Sequence, residues 1–132
     1  MKKLSYIIIS IVLCLLCSCG EGEKKTPADK APGEYRKISA EEAKGIMDAG
    51  GEYILLDVRT QEEFDRKHIE GAVLIPDYEI ANRAERELPD KHALILIYCR
   101  SGRRSANAAK ELIAMGYTNV YDFGGLETDW IY

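Results

Sequence analysis

The chain has 132 residues, 46% hydrophobic and 30% charged, enough to bury the core of one domain but not of two. Its formal net charge of −4 at pH 7 argues against nucleic-acid binding, which requires an excess of lysine and arginine. Positive charge is concentrated locally, in Arg100, Arg103 and Arg104. This clustering favours a small anionic ligand over an extended polyanion.

Residues 1–18 have the pattern of a secretory signal peptide. Lys2 and Lys3 precede an apolar run at 4–16, which is shorter than the roughly 20 residues of a membrane-spanning helix. We therefore expect the folded part of the chain to lie outside the cytoplasm. In an oxidising compartment an unpaired reactive thiol is at risk of oxidation, so its presence there calls for a chemical role.

The sequence Leu16-Cys17-Ser18-Cys19 resembles the lipobox of bacterial lipoproteins. The resemblance implies cleavage after Ser18, lipid on Cys19, and anchoring of the protein to a membrane on its periplasmic or outer face. An ordinary cleaved signal is the alternative, and a metal or redox cluster of the leader cysteines is a weaker one. Cys14 and Cys17 would leave with the signal, so Cys99 would be the one free thiol of the mature protein.

Residues 20–34 contain two prolines and no apolar side chain larger than alanine, so that 19–34 is predicted to be the lipidated N-terminus followed by a flexible tether. The folded domain is expected at 35–132. Within it, apolar runs alternate with amphipathic segments that carry helix-start signals, including capping boxes at Ser39/Glu42 and Thr60/Glu63. The predicted strands are 53–58, 72–75, 94–98 and 120–121, and the predicted helices begin near Ser39, Thr60, Glu79 and Ser105.

This alternation predicts the α/β fold class, a single domain with a central parallel sheet and helices on both faces. In open sheets of this kind, ligands bind beyond the carboxyl ends of the strands. Cys99 falls at such an end, directly after the apolar run 94–98. A short loop containing Gly102 follows, and then a helix whose N-terminal amides and dipole point toward the sulfur. Helix dipole and arginines together predict a reactive thiolate at neutral pH.

Several separated motifs resemble a rhodanese domain, the sulfurtransferase fold, over residues 38–130. The first block is Leu56-Asp57-Val58-Arg59, Glu63-Phe64, His68-Ile69-Glu70-Gly71-Ala72 and Ile75-Pro76; the loop is Cys99-Arg100-Ser101-Gly102-Arg103-Arg104-Ser105; the closing motif is Gly124-Gly125-Leu126 with Trp130. Lys67 departs from the pattern, since the family often has glycine before the histidine. Lys67 lies outside the catalytic loop.

The resemblance implies an enzyme that moves a sulfane sulfur from a thiosulfate-like anionic donor, through a persulfide on Cys99, to an external thiol or cyanide. Donor binding would fall to Arg100, Ser101, Gly102, Arg103 and Arg104, with Ser105 capping the next helix. Backbone amides and guanidinium groups suit an anionic persulfide and an anionic donor. No metal or organic cofactor is expected.

Two other interpretations stay open at the level of sequence. A cysteine phosphatase or arsenate reductase also holds a thiolate at a helix N-terminus, but its Cys-x5-Arg signature would require arginine where this chain has Ser105. A persulfide-carrying or docking module without catalysis of its own is the second. Asp57 and Arg59 either orient the loop or form a structural ion pair, and Phe123 and Trp130 are expected to close the core.

Overall fold

The computed structural model describes residues 33 and 35–132. The predicted signal peptide 1–18, the lipidation site Cys19 and the predicted tether 19–34, apart from Gly33, lie outside the described residues and stay predictions. Within residues 33 and 35–132, no helix has the length and apolar character needed to cross a bilayer.

The centre of the fold is a five-stranded sheet in which every neighbouring pair is parallel. Along the sheet the strands run in the order β1-β5-β4-β2-β3. Their bounds are β1 Arg36–Lys37, β2 Ile54–Asp57, β3 Val73–Leu74, β4 Ile95–Cys99 and β5 Val120–Gly125. The predicted α/β fold class with a parallel central sheet is therefore confirmed.

In the described part of the chain four α-helices connect the strands: α1 Ala40–Asp48, α2 Gln61–Arg66, α3 Ile80–Glu87 and α4 Arg103–Ala114. The first two begin at the predicted capping boxes, in which Ser39 and Thr60 each accept from the amide three residues on. A 3-10 turn at Asp77–Glu79 precedes α3. Each capping box satisfies amides that the first helical turn leaves without partners.

The sheet has a hydrophobic core on each face, as near-continuous apolar strands require. On one face Leu56, Ile95 and Ile97 pack with α3 and α4; on the other Leu55 and Leu96 pack with residues that include Ala43 of α1. Phe123 is buried on this second face, with Trp130 beside it at a ring-centroid separation of 5.5 Å. Both aromatic side chains close the core as expected.

Three local predictions differ from the structure. The two-residue strand β1 was not predicted, because so short a segment carries no alternation signal. The last strand extends through Gly125 rather than ending at Tyr121, because Gly125 pairs with Cys99 of β4 instead of forming a turn. The final helix begins at Arg103, two residues before Ser105.

Candidate active site

Cys99 ends β4, the central strand of the sheet, and its side chain is 1% exposed. Its Sγ accepts a hydrogen bond of 3.0 Å from the backbone N–H of Gly102. Gly102 has φ of +94°, a left-handed conformation that other residues rarely adopt. This conformation turns the chain back over the sulfur and lets α4 start immediately afterwards.

Gly102 occupies the N-cap position of α4. Among the described residues, no side chain accepts a capping hydrogen bond from the amides of the first turn. The prediction that Ser105 caps this helix is wrong. Ser105 is the third residue of α4, and its Oγ donates 3.1 Å to the Gly102 carbonyl and lies 3.4 Å from the Gly124 carbonyl. The helix begins early because the loop needs only three residues to pass from strand to helix. Uncapped amides and the helix dipole therefore place partial positive charge near Cys99.

The end of β5 forms the back wall of the loop. The backbone N–H of Leu126 in the closing motif donates to the Cys99 carbonyl at 2.8 Å, and that of the next residue, Glu127, donates to the Arg100 carbonyl at 3.1 Å. A Cβ atom on Gly125 would collide with the Arg100 carbonyl and lie 2.6 Å from the Cα of Ser101. Glycine at position 125 is thus required by the close approach of two backbones.

Four of the predicted donor-binding residues, Arg100, Ser101, Arg103 and Arg104, line a cavity of about 340 Å³ together with Glu63. The fifth, Gly102, points its N–H at the sulfur. The guanidinium of Arg100 lies 3.7 Å from the Glu127 carboxylate, and both side chains are more than half exposed. The structure thus gathers the predicted residues at one edge of the sheet, around a cavity whose polar groups are mainly cationic.

Arg104 is not an isolated cation in this cavity. Its two terminal nitrogens donate to the two carboxylate oxygens of Glu63, at 2.8 and 2.7 Å. The hydrogen bonds from Arg104 lower the pKa of Glu63 to about 2. Partial burial acts in the opposite direction, and a hydrogen bond from the Thr60 backbone lowers the pKa further. Glu63 raises the pKa of Arg104 in turn. Sequence reasoning assigned Glu63 to a capping box and missed this second role.

Asp57 and Arg59 form a buried ion pair. Of the two roles considered for them, orienting the loop or forming a structural ion pair, the structure shows the ion pair. Nε and Nη2 of Arg59 lie 2.7 to 3.1 Å from the two Asp57 oxygens, and Nη2 also donates to the Lys67 carbonyl at 2.6 Å. The pair joins the end of β2 to the segment after α2. Its fully satisfied geometry makes it a rigid support beside the site.

Lys67, the departure from the family pattern, lines a second cavity of about 400 Å³ that shares Glu63 with the first. Its ammonium lies 3.3 Å from the ring centroid of Tyr132, a cation–π contact. His68 stacks on Phe64 at 3.7 Å, and its Nδ1 lies 2.8 Å from the Phe64 carbonyl oxygen. Within residues 33 and 35–132, no three histidines, cysteines or carboxylates are grouped as a metal site would require.

The central strand of this parallel sheet ends in a cysteine, which is followed by a tight, arginine-bearing loop and a helix N-terminus; these features define an α/β domain with a candidate thiol site at a strand end. The chain belongs to the rhodanese-like domain family, whose model matches residues 39–130.

Relatives of known name agree with this family. The chain is 40% identical over 72 residues to thiosulfate sulfurtransferase PspE of Escherichia coli, covering 54% of this chain and 69% of that one. It is 33% identical over 110 residues to thiosulfate sulfurtransferase 18 of Arabidopsis thaliana, covering 74% and 79%. A solved E. coli structure, described as a rhodanese with anions, is 35% identical, with a TM-score of 0.53 over 61% of this chain and 95% of that one.

Proposed function

We propose that the chain is a thiosulfate-type sulfurtransferase in which Cys99 carries the transferred sulfur as a persulfide. The observation that supports this most directly is the 3.0 Å hydrogen bond from the Gly102 amide to Sγ of Cys99, in a loop whose other residues, Arg100 and Ser101, line the cavity with Arg103 and Arg104. The names of the relatives point the same way. An amide aimed at sulfur stabilises negative charge both on the thiolate and on the sulfur chain that replaces it.

In the first step the Cys99 thiolate attacks the outer sulfur of thiosulfate. The S–S bond of the donor breaks, sulfite leaves with the bonding electron pair, and Cys99 becomes an anionic persulfide. We assign the sulfonate-like end to Arg100 and Arg103, because Arg104 is held in a close pair with Glu63, whereas Arg100 meets Glu127 only in an exposed pair at 3.7 Å.

In the second step a nucleophile attacks the terminal sulfur of the persulfide. Cyanide would leave as thiocyanate, and a thiol would leave as its own persulfide after losing its proton. The Cys99 S–S bond breaks toward the protein, so the thiolate returns with its electron pair. The electrons balance without an oxidant or a reductant, and the proposed cycle uses neither a metal nor an organic cofactor.

Mass spectrometry of the full chain after exposure to thiosulfate tests the proposal. We expect the tryptic peptide 92–100, which contains Cys99, to gain one sulfur atom and to lose it when cyanide is added with release of thiocyanate. An untreated sample provides the baseline. Failure of this peptide to gain sulfur would contradict the mechanism. Loading without turnover by any acceptor would favour the carrier module instead.

We also propose that the domain is a lipoprotein outside the cytoplasm, tethered to a membrane through lipid on Cys19. The support is the lipobox resemblance of residues 16–19 and the signal-like pattern before it. Labelled fatty acid should be incorporated by the wild-type chain and not by Cys19→Ala, while Cys17→Ala serves as the matched control. Equal labelling of wild type and Cys19→Ala would contradict lipidation at this residue.

A further inference from the structure

Asp122 is a fully buried carboxylate on β5, two residues before the glycine pair that backs the active-site loop. Its Oδ1 accepts a 2.9 Å hydrogen bond from the backbone N–H of Gly124. Gly124 has φ of +94°, a conformation that glycine adopts without steric cost, and the hydrogen bond to Asp122 selects it among those open to this residue. The carboxylate therefore fixes the shape of the wall on which the loop rests.

The other oxygen of Asp122 is held from the N-terminal end of the domain. Oδ2 accepts 2.8 Å from the hydroxyl of Tyr35, and the ammonium of Lys37 lies 3.4 Å away. Burial raises the pKa of Tyr35 to about 12, and the hydrogen bond to Asp122 adds to the effect. The hydroxyl thus remains a donor over the whole physiological range. Both residues precede 39–130, the part that the family model matches.

The same network reaches the loop itself. The Lys37 ammonium lies 3.6 Å from where a Cβ of Gly102 would stand and 3.2 Å from the corresponding position on Gly124. The Cα of Gly124 lies 3.5 Å from that Gly102 position. Gly102 provides the amide that bonds Sγ of Cys99. Because the two backbones lie this close, a shift of the Gly124 backbone would displace the Gly102 amide that donates to Sγ.

We propose that Asp122 is a positioning residue for the Cys99 loop, and that Tyr35 and Lys37 hold its carboxylate in place for that role. Asp122 touches no reacting atom; it acts through the Gly124 backbone on the Gly102 amide. The inference rests on the proposed function only in the sense that the positioned amide serves the sulfur chemistry of Cys99. Its first consequence, the orientation of Gly102, exists without any donor.

The alternative is that Asp122 merely stabilises the fold. A buried carboxylate that loses its charge or its partners destabilises a protein wherever it lies. Unfolding measurements alone therefore do not separate the two roles. The separating readouts are local to the site: the amide proton shift of Gly102 and the reactivity of the Cys99 thiol.

The experiment uses the full chain with Asp122→Asn, which keeps the shape and removes the charge, and Tyr35→Phe, which removes one hydroxyl. Asp48→Asn is the matched control, because Asp48 forms an exposed ion pair with Lys44 on α1. We measure the Gly102 amide shift by NMR and the rate of Cys99 alkylation by iodoacetamide at pH 7, read on the tryptic peptide 92–100.

We expect alkylation of Cys99 to slow by about tenfold in Asp122→Asn and about threefold in Tyr35→Phe, as loss of charge-assisted bonds predicts. The NMR signal of the Gly102 amide should shift in both variants. In Asp48→Asn, both the Gly102 shift and the rate of Cys99 alkylation should equal those of wild type. Unchanged Gly102 shifts and alkylation rates in folded Tyr35→Phe would overturn the proposal, even where Asp122→Asn fails to fold. Neither readout needs a sulfur donor, so a chain that shows these effects but gains no sulfur contradicts only the proposed function.

Discussion

The carboxylate of Glu63 on α2 and the guanidinium of Arg104 on α4 form a two-point ion pair at 2.7 and 2.8 Å in the wall of the cavity that Arg100 and Arg103 also line. The two side chains are 17% and 23% exposed, so solvent screens them only in part. The pair removes one positive charge from the field that a donor meets. In the proposed reaction, the charge of Glu63 therefore weakens binding of an anionic donor, and the charge of Arg104 strengthens it.

This relationship predicts opposite effects from the two halves of the pair. Glu63→Gln should lower the KM for thiosulfate, and Arg104→Ala should raise it, each by about three- to tenfold for a unit charge at this range. Both effects should shrink at high ionic strength because salt screens exposed charges. Steady-state kinetics at low and high salt provide the measurement.

Glu62→Gln is the control for these variants, since Glu62 lies on the same helix in an exposed pair with Arg66. Its KM should equal that of wild type. The double variant Glu63→Gln/Arg104→Ala should return toward the wild-type KM, because the net charge of the cavity is restored. A KM that rises in Glu63→Gln would exclude the electrostatic role assigned to this carboxylate.

A second prediction concerns the nucleophile. Cys99→Ser should keep the fold, because serine differs from cysteine by one atom, and should lose sulfur transfer to cyanide entirely. A hydroxyl is far less ionised than a thiol and forms no stable counterpart of a persulfide. Thiocyanate production and the mass of the peptide 92–100 are the measurements. Residual thiocyanate above the uncatalysed rate would assign the transfer to another group.

A third prediction follows from the depressed pKa of Glu63, which is about 2 in the folded chain against an ordinary value of 4.5. The unfolded state binds the proton more tightly, so the pair stabilises the fold above about pH 4.5 and loses that contribution as the pH falls toward 2. The contribution should be about 2 kcal/mol, since the pair is partly screened.

Urea unfolding of wild type and Glu63→Gln between pH 7 and pH 2 measures this contribution. The difference in free energy of unfolding should be constant above pH 5 and should shrink steadily below pH 4.5. Glu62→Gln should show no comparable pH-dependent difference. A difference in free energy of unfolding that does not change between pH 5 and pH 2 would mean that Arg104 does not lower the pKa of Glu63.

Much of the architecture could be predicted from the sequence, because its signals are local. The capping boxes at Ser39 and Thr60 and the apolar runs of β2 and β4 located four of the elements closely. The position of Cys99 at a strand end followed from the same periodicity. The family motifs then gave the identity of the loop, which periodicity alone does not provide.

What could not be predicted depends on contacts between distant segments. The Glu63–Arg104 pair joins residues 41 positions apart, and the Tyr35–Asp122 bond joins residues 87 apart. A carboxylate before a glycine pair in an otherwise apolar strand, as at Asp122, was a signal that could have been read like Asp57. The sequence carried no such signal for its partner Tyr35, because Tyr35 directly precedes β1, a strand of only two residues that shows no alternation.

The last prediction tests the close approach of β5 to the loop. Gly125→Ala would place a Cβ against the Arg100 carbonyl and 2.6 Å from the Cα of Ser101, where only backbone can move. We expect a loss of at least about 3 kcal/mol in the free energy of unfolding, or displacement of the loop with loss of Cys99 reactivity. Gly45→Ala, on α1 with no atom within 4 Å of its Cβ position, should instead stabilise the fold by about 0.5–1 kcal/mol. Chemical unfolding and the rate of Cys99 alkylation are measured for both variants. Equal free energies of unfolding and equal alkylation rates would mean that β5 and the Cys99 loop do not make the close contact described.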